Sequence, residues 1–268
     1  MSKQTLLFRG PIKTRSGYGA HSRDLLQALY EMDLFDIKID SCGWGVTPLT
    51  ALDNTNPFHK WIEENIITAL SETPDIYVQV TVPNEFQRIG KYNIGITAGI
   101  ETTMASGQFV DGLNRMNMNI VTSNHVKKVF ESAQYQKQFE DGRKEILKSE
   151  KPMEVCFWGA DTNIYKKTSE KVESIENVLS SIPEKFVFLF VGQWTHKSLY
   201  SDRKDIGNLI KTFSNAFKNK SPENRPCLLL KTSGVTFSAV DRDEILGRIK
   251  QIQEEVGDNC PNVYLLHG

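Results

Sequence analysis

The chain has 268 residues with 32 Lys+Arg against 33 Asp+Glu, a formal net charge of −1; 39% of residues are hydrophobic and 24% charged. Such a composition excludes a disordered, collagen-like or coiled-coil polypeptide, and the balanced charge argues against a dedicated nucleic-acid binder. No run of about 18 apolar residues occurs, so no membrane-spanning helix is expected, and residues 1–10 lack the long apolar stretch of a secretory signal.

Strand-like and helix-like stretches alternate along the chain. Residues 5–9 are apolar and lead through a Gly-rich turn (10–19) into a helix expected at 21–32, with Leu25, Leu26, Leu29 and Met32 at helical spacing. Residues 35–41 alternate with period two, a strand. A helix is expected at 58–70, with Trp61, Ile62, Ile66 and Leu70 facing inward. Strands are expected at 75–82, 92–98, 119–122 and 153–157, and helices at 109–116 and 126–133. The charged stretch 135–152, with Lys137, Glu140, Asp141, Arg143 and Lys144 among its ions, reads as a solvent-facing helical extension.

Residues 166–184 read as a polar connector. Residues 186–191, FVFLFV, then open the most apolar stretch of the chain, which reads as a buried first strand of a second unit. A helix at 203–217, a strand at 227–231, a helix at 242–256 and a strand at 263–267 follow. Alternating strands and helices with short turns predict an α/β fold of mostly parallel sheets covered on both faces. The expected organisation is two Rossmann-like domains, residues 1–180 and 181–268. Three strands make only half of a doubly wound sheet, so the second domain reads as incomplete.

The four cysteines, Cys42, Cys156, Cys227 and Cys260, show no CxxC pair and no zinc-like spacing. Cys156 and Cys227 fall within apolar runs and read as buried free thiols, which fits a reducing cytoplasm. The five histidines, His21, His59, His125, His196 and His267, show no ligand pairing, so no metal is expected. A GxSxG nucleophile elbow is also missing.

Three constellations carry candidate chemistry. Gly17, Tyr18 and Gly19 lie between the first strand and first helix, where glycines allow close backbone approach and a helix start favours an anion. The same residues also suit a plain tight turn. Glu101, flanked by Thr102 and Thr103, follows Gly99 at a strand end, where ligands collect in open α/β sheets; an acid there also serves simply as a cap. Gly192 and the pair Arg203-Lys204 stand beyond the first strand of the second unit. Two cations opening a helix oppose its dipole unless they hold a phosphate; the alternative is a solvated pair offset by Asp202. Lys231, with Thr232 and Ser233, adds a further cation at the next strand end.

In order, these residues resemble the group 1 (family 4) glycosyltransferases of GT-B fold. The resemblance is carried by SGYGAHSRDLLQAL at 16–29, GIETTMASGQFVDGLNRMNMNIVTSNHVKKVFESA at 99–133, CFWGADTNIYKK at 156–167, and FVFLFVGQW at 186–194 with RKDIGNLIKTF at 203–213. It implies two Rossmann-like domains facing a cleft and transfer of a sugar from a nucleotide-sugar donor, usually with retention and without an obligatory metal. No other cofactor is implied. Ser123 falls in the cleft-facing turn of the family, and Gly159-Ala160-Asp161 looks like the G-V-D before the interdomain connector. Arg203 and Lys204 occupy the place of the R-K pair that clamps the donor diphosphate, with Lys231 and Gly192 beside them. Gly17–Gly19 would approach donor phosphate and acceptor. Glu101 stands near a catalytic-side polar position where many members carry His.

The family's C-terminal E-x7-E motif has no counterpart here. The resemblance therefore implies a chain that is the front two-thirds of such an enzyme, weakly active or inactive alone. Two other readings stay open. One is a non-catalytic nucleotide- or carbohydrate-binding module; the other is a nicotinamide-dependent enzyme, disfavoured by the lack of GxGxxG and its ribose-reading acid.

Overall fold

A computed structural model describes residues 3–138, 141–195, 198–234, 236 and 238–268. Glu140 and His196 therefore lie outside the described residues. The chain divides into two compact units, Met1–Tyr165 and Lys166–Gly268.

The first unit is built on a six-stranded parallel sheet. Its strands are β1 (Gln4–Gly10), β2 (Phe35–Ser41), β3 (Ile76–Val80), β4 (Tyr92–Thr97), β5 (Met118–Val121) and an edge strand, Met153–Val155, in the order β2-β1-β3-β4-β5-edge. The chain steps outward from β1 to β2, then returns to β3 on the other side of β1. The carboxyl ends of β1 and β3 thus form a switch point, where open α/β sheets bind ligands.

Side chains alternate along each strand, so consecutive residues feed opposite faces. Leu6, Phe8, Ile37, Ile39, Val78 and Val80 form a core on one face with Leu26 of helix α1 (Gly17–Met32) and Ile62 of helix α2 (Pro57–Asn65). Leu7 and Tyr77 face the other way and pack with Phe86. Val110 and Leu113 of helix α3 (Gly107–Asn114), and Val129 and Phe130 of helix α4 (Asn124–Ser132), complete that second core.

Several expectations need correction. Helix α1 begins at Gly17, four residues early, because Ser16 caps it: its hydroxyl accepts the Gly19 N–H at 2.9 Å. The Gly-rich turn is therefore partly the first helical turn. Helix α2 stops at Asn65 because Ile66 pairs with Ile39 at the sheet edge, and Leu70 is 46% exposed rather than inward.

The described residues of the stretch 135–152 are not helical. Antiparallel strands β6 (Gln134–Gln138) and β7 (Lys144–Lys148) form a hairpin, numbering the edge strand above as β8. Tyr135 and Leu147 face each other across it and pack on the α3–α4 core, while the ions face water. Gly142 at φ 83 supplies the left-handed residue of its Asp-Gly turn.

The second unit holds a three-stranded parallel sheet of β9 (Val187–Val191), β10 (Cys227–Thr232) and β11 (Val263–His267), in the order β11-β10-β9. The stretch 166–184 contains a helix, α5 (Glu173–Ser180), which buries none of its residues. Helices α6 (Ile206–Phe217) and α7 (Ala239–Val256) cover one sheet face, packing Ile210, Phe213, Ile245 and Ile249 on Phe190, Leu228, Leu230 and Leu265.

β9 is an edge strand, not a buried one. Leu189 is 64% and Val191 65% exposed, because both point to the face that α6 and α7 do not cover. All four cysteines are free; Cys227 is buried as expected, whereas Cys156 stands just beyond β8 and is exposed. No helix among the described residues is long and apolar enough to cross a membrane.

Candidate functional site

In the first unit the predicted loop residues divide by role. A Cβ on Gly19 would lie 2.3 Å from the Thr14 carbonyl oxygen, so only glycine lets the helix start pack on residues 11–14. At Gly17 an added Cβ would meet nothing within 4 Å, which leaves open space at the carboxyl edge of the sheet. Ser16 caps the helix and shares a 2.7 Å hydrogen bond with the Thr14 hydroxyl.

Tyr18 reaches across to the end of β4. Its hydroxyl lies 3.1 Å from Thr97 Oγ1 and accepts the Ala98 N–H at 3.0 Å. Burial raises its pKa, and the nearby charges of Glu101 and Glu85 add to the rise. Glu101 is exposed, in a loop that turns over helix α4 at Gly99. Gly99 has φ 78, and a Cβ there would strike Val126 at 2.1 Å, so no other residue fits without movement.

Thr102 and Ser123 have local partners. The Thr102 hydroxyl donates to the Met104 carbonyl at 3.0 Å, and the Thr102 carbonyl lies 3.3 Å from His125 Nε2. Ser123 is the N-cap of α4, accepting the Val126 N–H at 3.2 Å.

Sequence reasoning missed the aromatic surroundings of Tyr18. Trp44, in the loop after β2, stacks on Tyr18 with ring centroids 4.3 Å apart. Trp158, beyond β8, meets Tyr18 edge-on at 6.0 Å and stacks on His21 at 3.8 Å. Burial lowers the His21 pKa to about 4, so the ring is neutral at pH 7, and its Nε2 is buried without a hydrogen-bond partner. The available signal was two tryptophans beside glycines, Gly43-Trp44-Gly45 and Trp158-Gly159, each just past a strand end.

In the second unit, three predicted donor residues converge on one strand edge. The Gly192 N–H donates to the Lys231 carbonyl at 3.1 Å, joining the ends of β9 and β10. A Cβ on Gly192 would lie 3.9 Å from Lys204 Cγ, so the lysine stem runs beside that strand end. Arg203 and Lys204 are exposed and Lys231 is half-buried.

The basic pair does not open the helix, as the sequence suggested. It occupies a turn before α6, because Asp202 accepts the N–H groups of Lys204 at 2.7 Å and Ile206 at 3.0 Å. That carboxylate offsets the helix dipole locally and leaves both cationic side chains at the edge. Behind them Asp241 accepts the Gly234 N–H at 2.8 Å and lies 2.8 Å from His267 Nε2, which ties the ends of β10 and β11 together. Among the described residues no cluster of His, Cys, Asp and Glu could hold a metal ion.

No known family profile matches the chain, and no curated protein matches it. Among solved structures, the N-terminal domain of Candida albicans trehalose-6-phosphate phosphatase is similar at 13% identity. The alignment covers 99% of this chain and 72% of that one, with a TM-score of 0.45.

Proposed function

We propose that the chain is a nucleotide-sugar-dependent glycosyltransferase or a portion of one, with residues 181–268 on the donor side and residues 1–180 on the acceptor side. The observation that carries this reading is the gathering of Gly192, Lys204 and Lys231 at the carboxyl edge of β9 and β10, with Arg203 next to Lys204. A sugar leaving group of this kind is a nucleoside diphosphate. As the bond from the anomeric carbon to the diphosphate oxygen breaks, the developing charge needs preorganised cations. Arg203, Lys204 and Lys231 supply them at the ends of β9 and β10, where Gly192 is held by its N–H bond to the Lys231 carbonyl and by the Phe190 ring packed on it. Glu101, exposed beside the Tyr18 hydroxyl anchor, is the polar group offered to the reacting sugar or acceptor.

Binding of UDP and GDP, measured by calorimetry and by the rise in melting temperature that mass action requires, tests the reading. Arg203→Ala is expected to cost about 1.5–3 kcal/mol of diphosphate affinity, roughly ten- to a hundredfold. Unchanged nucleotide binding in that variant removes the clamp from the proposal. A response to NAD and to no nucleoside diphosphate overturns it.

A further inference from the structure

We propose that Tyr18, Trp44 and Trp158 form a binding platform for the ring of a neutral saccharide. This deepens the glycosyltransferase reading and rests on it, by naming the chemical class of the acceptor.

The aromatic cluster differs from the aromatic core of the same unit. Phe8, Tyr77, Phe86 and Phe130 are fully buried, whereas Tyr18, Trp44 and Trp158 are only partly covered and gather at the carboxyl edge of the sheet. Both tryptophans sit in loops beside glycines. Added Cβ atoms at Gly43, Gly45 and Gly159 would meet nothing within 4 Å, as at Gly17. Trp44 gives one face to Tyr18 and Trp158 one face to His21, so a ligand would meet the remaining, partly exposed sides of the tryptophans; aromatic rings set among a few polar groups are the usual lining of a small-ligand site.

The charges around the platform select the ligand. The carboxylates of Glu85 and Glu101 act on the Tyr18 phenol, and the charge of Asp161 acts on Asp24, one helical turn beyond His21. Carboxylates only accept hydrogen bonds, which suits sugar hydroxyls and repels phosphate. Of the nearby cations, Arg23 Nη1 donates to the carbonyls of Ile12 and Thr14, and Arg15 Nε to the Thr50 hydroxyl, so these donor atoms are held within the chain. A neutral ring with apolar faces and hydroxyl edges therefore fits better than a nucleotide.

The test uses the full chain. The protein has four tryptophans, so a Trp61→Phe/Trp194→Phe background leaves emission from Trp44 and Trp158 alone. Maltose, cellobiose, lactose and chitobiose are titrated, with glycerol as a polyol lacking a ring face and UMP as a base-bearing anion. Calorimetry on the unsubstituted chain reads the same binding should that background not fold. The expected result is a saturable response to at least one disaccharide and none to glycerol or UMP. Trp44→Ala and Trp158→Ala should each weaken it about tenfold, the size of one aromatic contact, and Trp44→Phe should weaken it much less. No response to any disaccharide overturns the proposal, as does undiminished affinity in both alanine variants. A response to UMP in place of the sugars overturns it too. UDP binding that depends on Arg203 is measured separately, so loss of the platform and loss of the glycosyltransferase reading give different results.

Discussion

The two parallel sheets use apolar sequence differently. The six-stranded sheet of the first unit is covered on both faces, and its odd and even residues feed two separate cores. The three-stranded sheet of the second unit is packed on one face by α6 and α7, while the opposite face leaves Leu189 and Val191 largely in water. Yet FVFLFV is the most apolar run in the chain. Composition marks what a strand could bury; only a neighbouring layer makes it buried, and parallel sheets ordinarily have one on each side.

The largest effect expected is in the doubly covered sheet. Phe86 is fully buried and its ring fills the space above Gly95, so Phe86→Ala should cost about 3–5 kcal/mol, read as a lowered denaturation midpoint. A loss under about 1 kcal/mol would show that this face is looser than its packing indicates.

His21 gives a pH-dependent version of the same comparison. Its folded pKa of about 4 lies below the ordinary 6.5, so the unfolded chain binds the extra proton between those values. Its contribution is fully present above pH 6.5 and is lost as the pH falls toward 4. His21→Asn should remove on the order of 2 kcal/mol of the acid sensitivity, allowing for partial exposure. Parallel stability–pH curves for the two proteins would contradict burial of the neutral ring.

Ser16→Ala should cost about 1 kcal/mol by uncapping α1, and Ser16→Asp should recover most of it. The smallest effect belongs to the open face. Leu189→Ala should change stability by no more than about 0.5 kcal/mol despite removing a large apolar side chain. A loss of 2 kcal/mol or more, in the range of buried Leu→Ala changes, would mean that the face is covered in solution, and the contrast between the sheets would fail.

Much of the architecture was legible because backbone geometry imposes its own period. Every expected strand has a counterpart, and Phe35–Ser41 agrees at both ends, since alternation and turn residues act within a few positions. The misreadings arose where distant parts of the chain decide. The charge run at 135–152 correctly spoke of solvent, but a hairpin exposes ions as well as a helix does. The Asp141-Gly142 turn and the apolar pair Tyr135–Leu147 distinguish the two. Glu101, Thr102 and Ser123 could be picked out as strand-end residues, but not the local bonds that engage Thr102 and Ser123. The meeting of Trp44 and Trp158 at Tyr18 was not legible, because 114 residues separate the two tryptophans in the chain.

Sequence alone determined the alternation of strands and helices and the cations near the second unit's strand ends. These follow from side-chain spacing and chain order. Tertiary structure decided which apolar strand is covered, whether the basic pair starts a helix or stands before it, and which aromatic rings meet at the sheet edge. Those outcomes depend on contacts between segments far apart in the chain, and no local period encodes them.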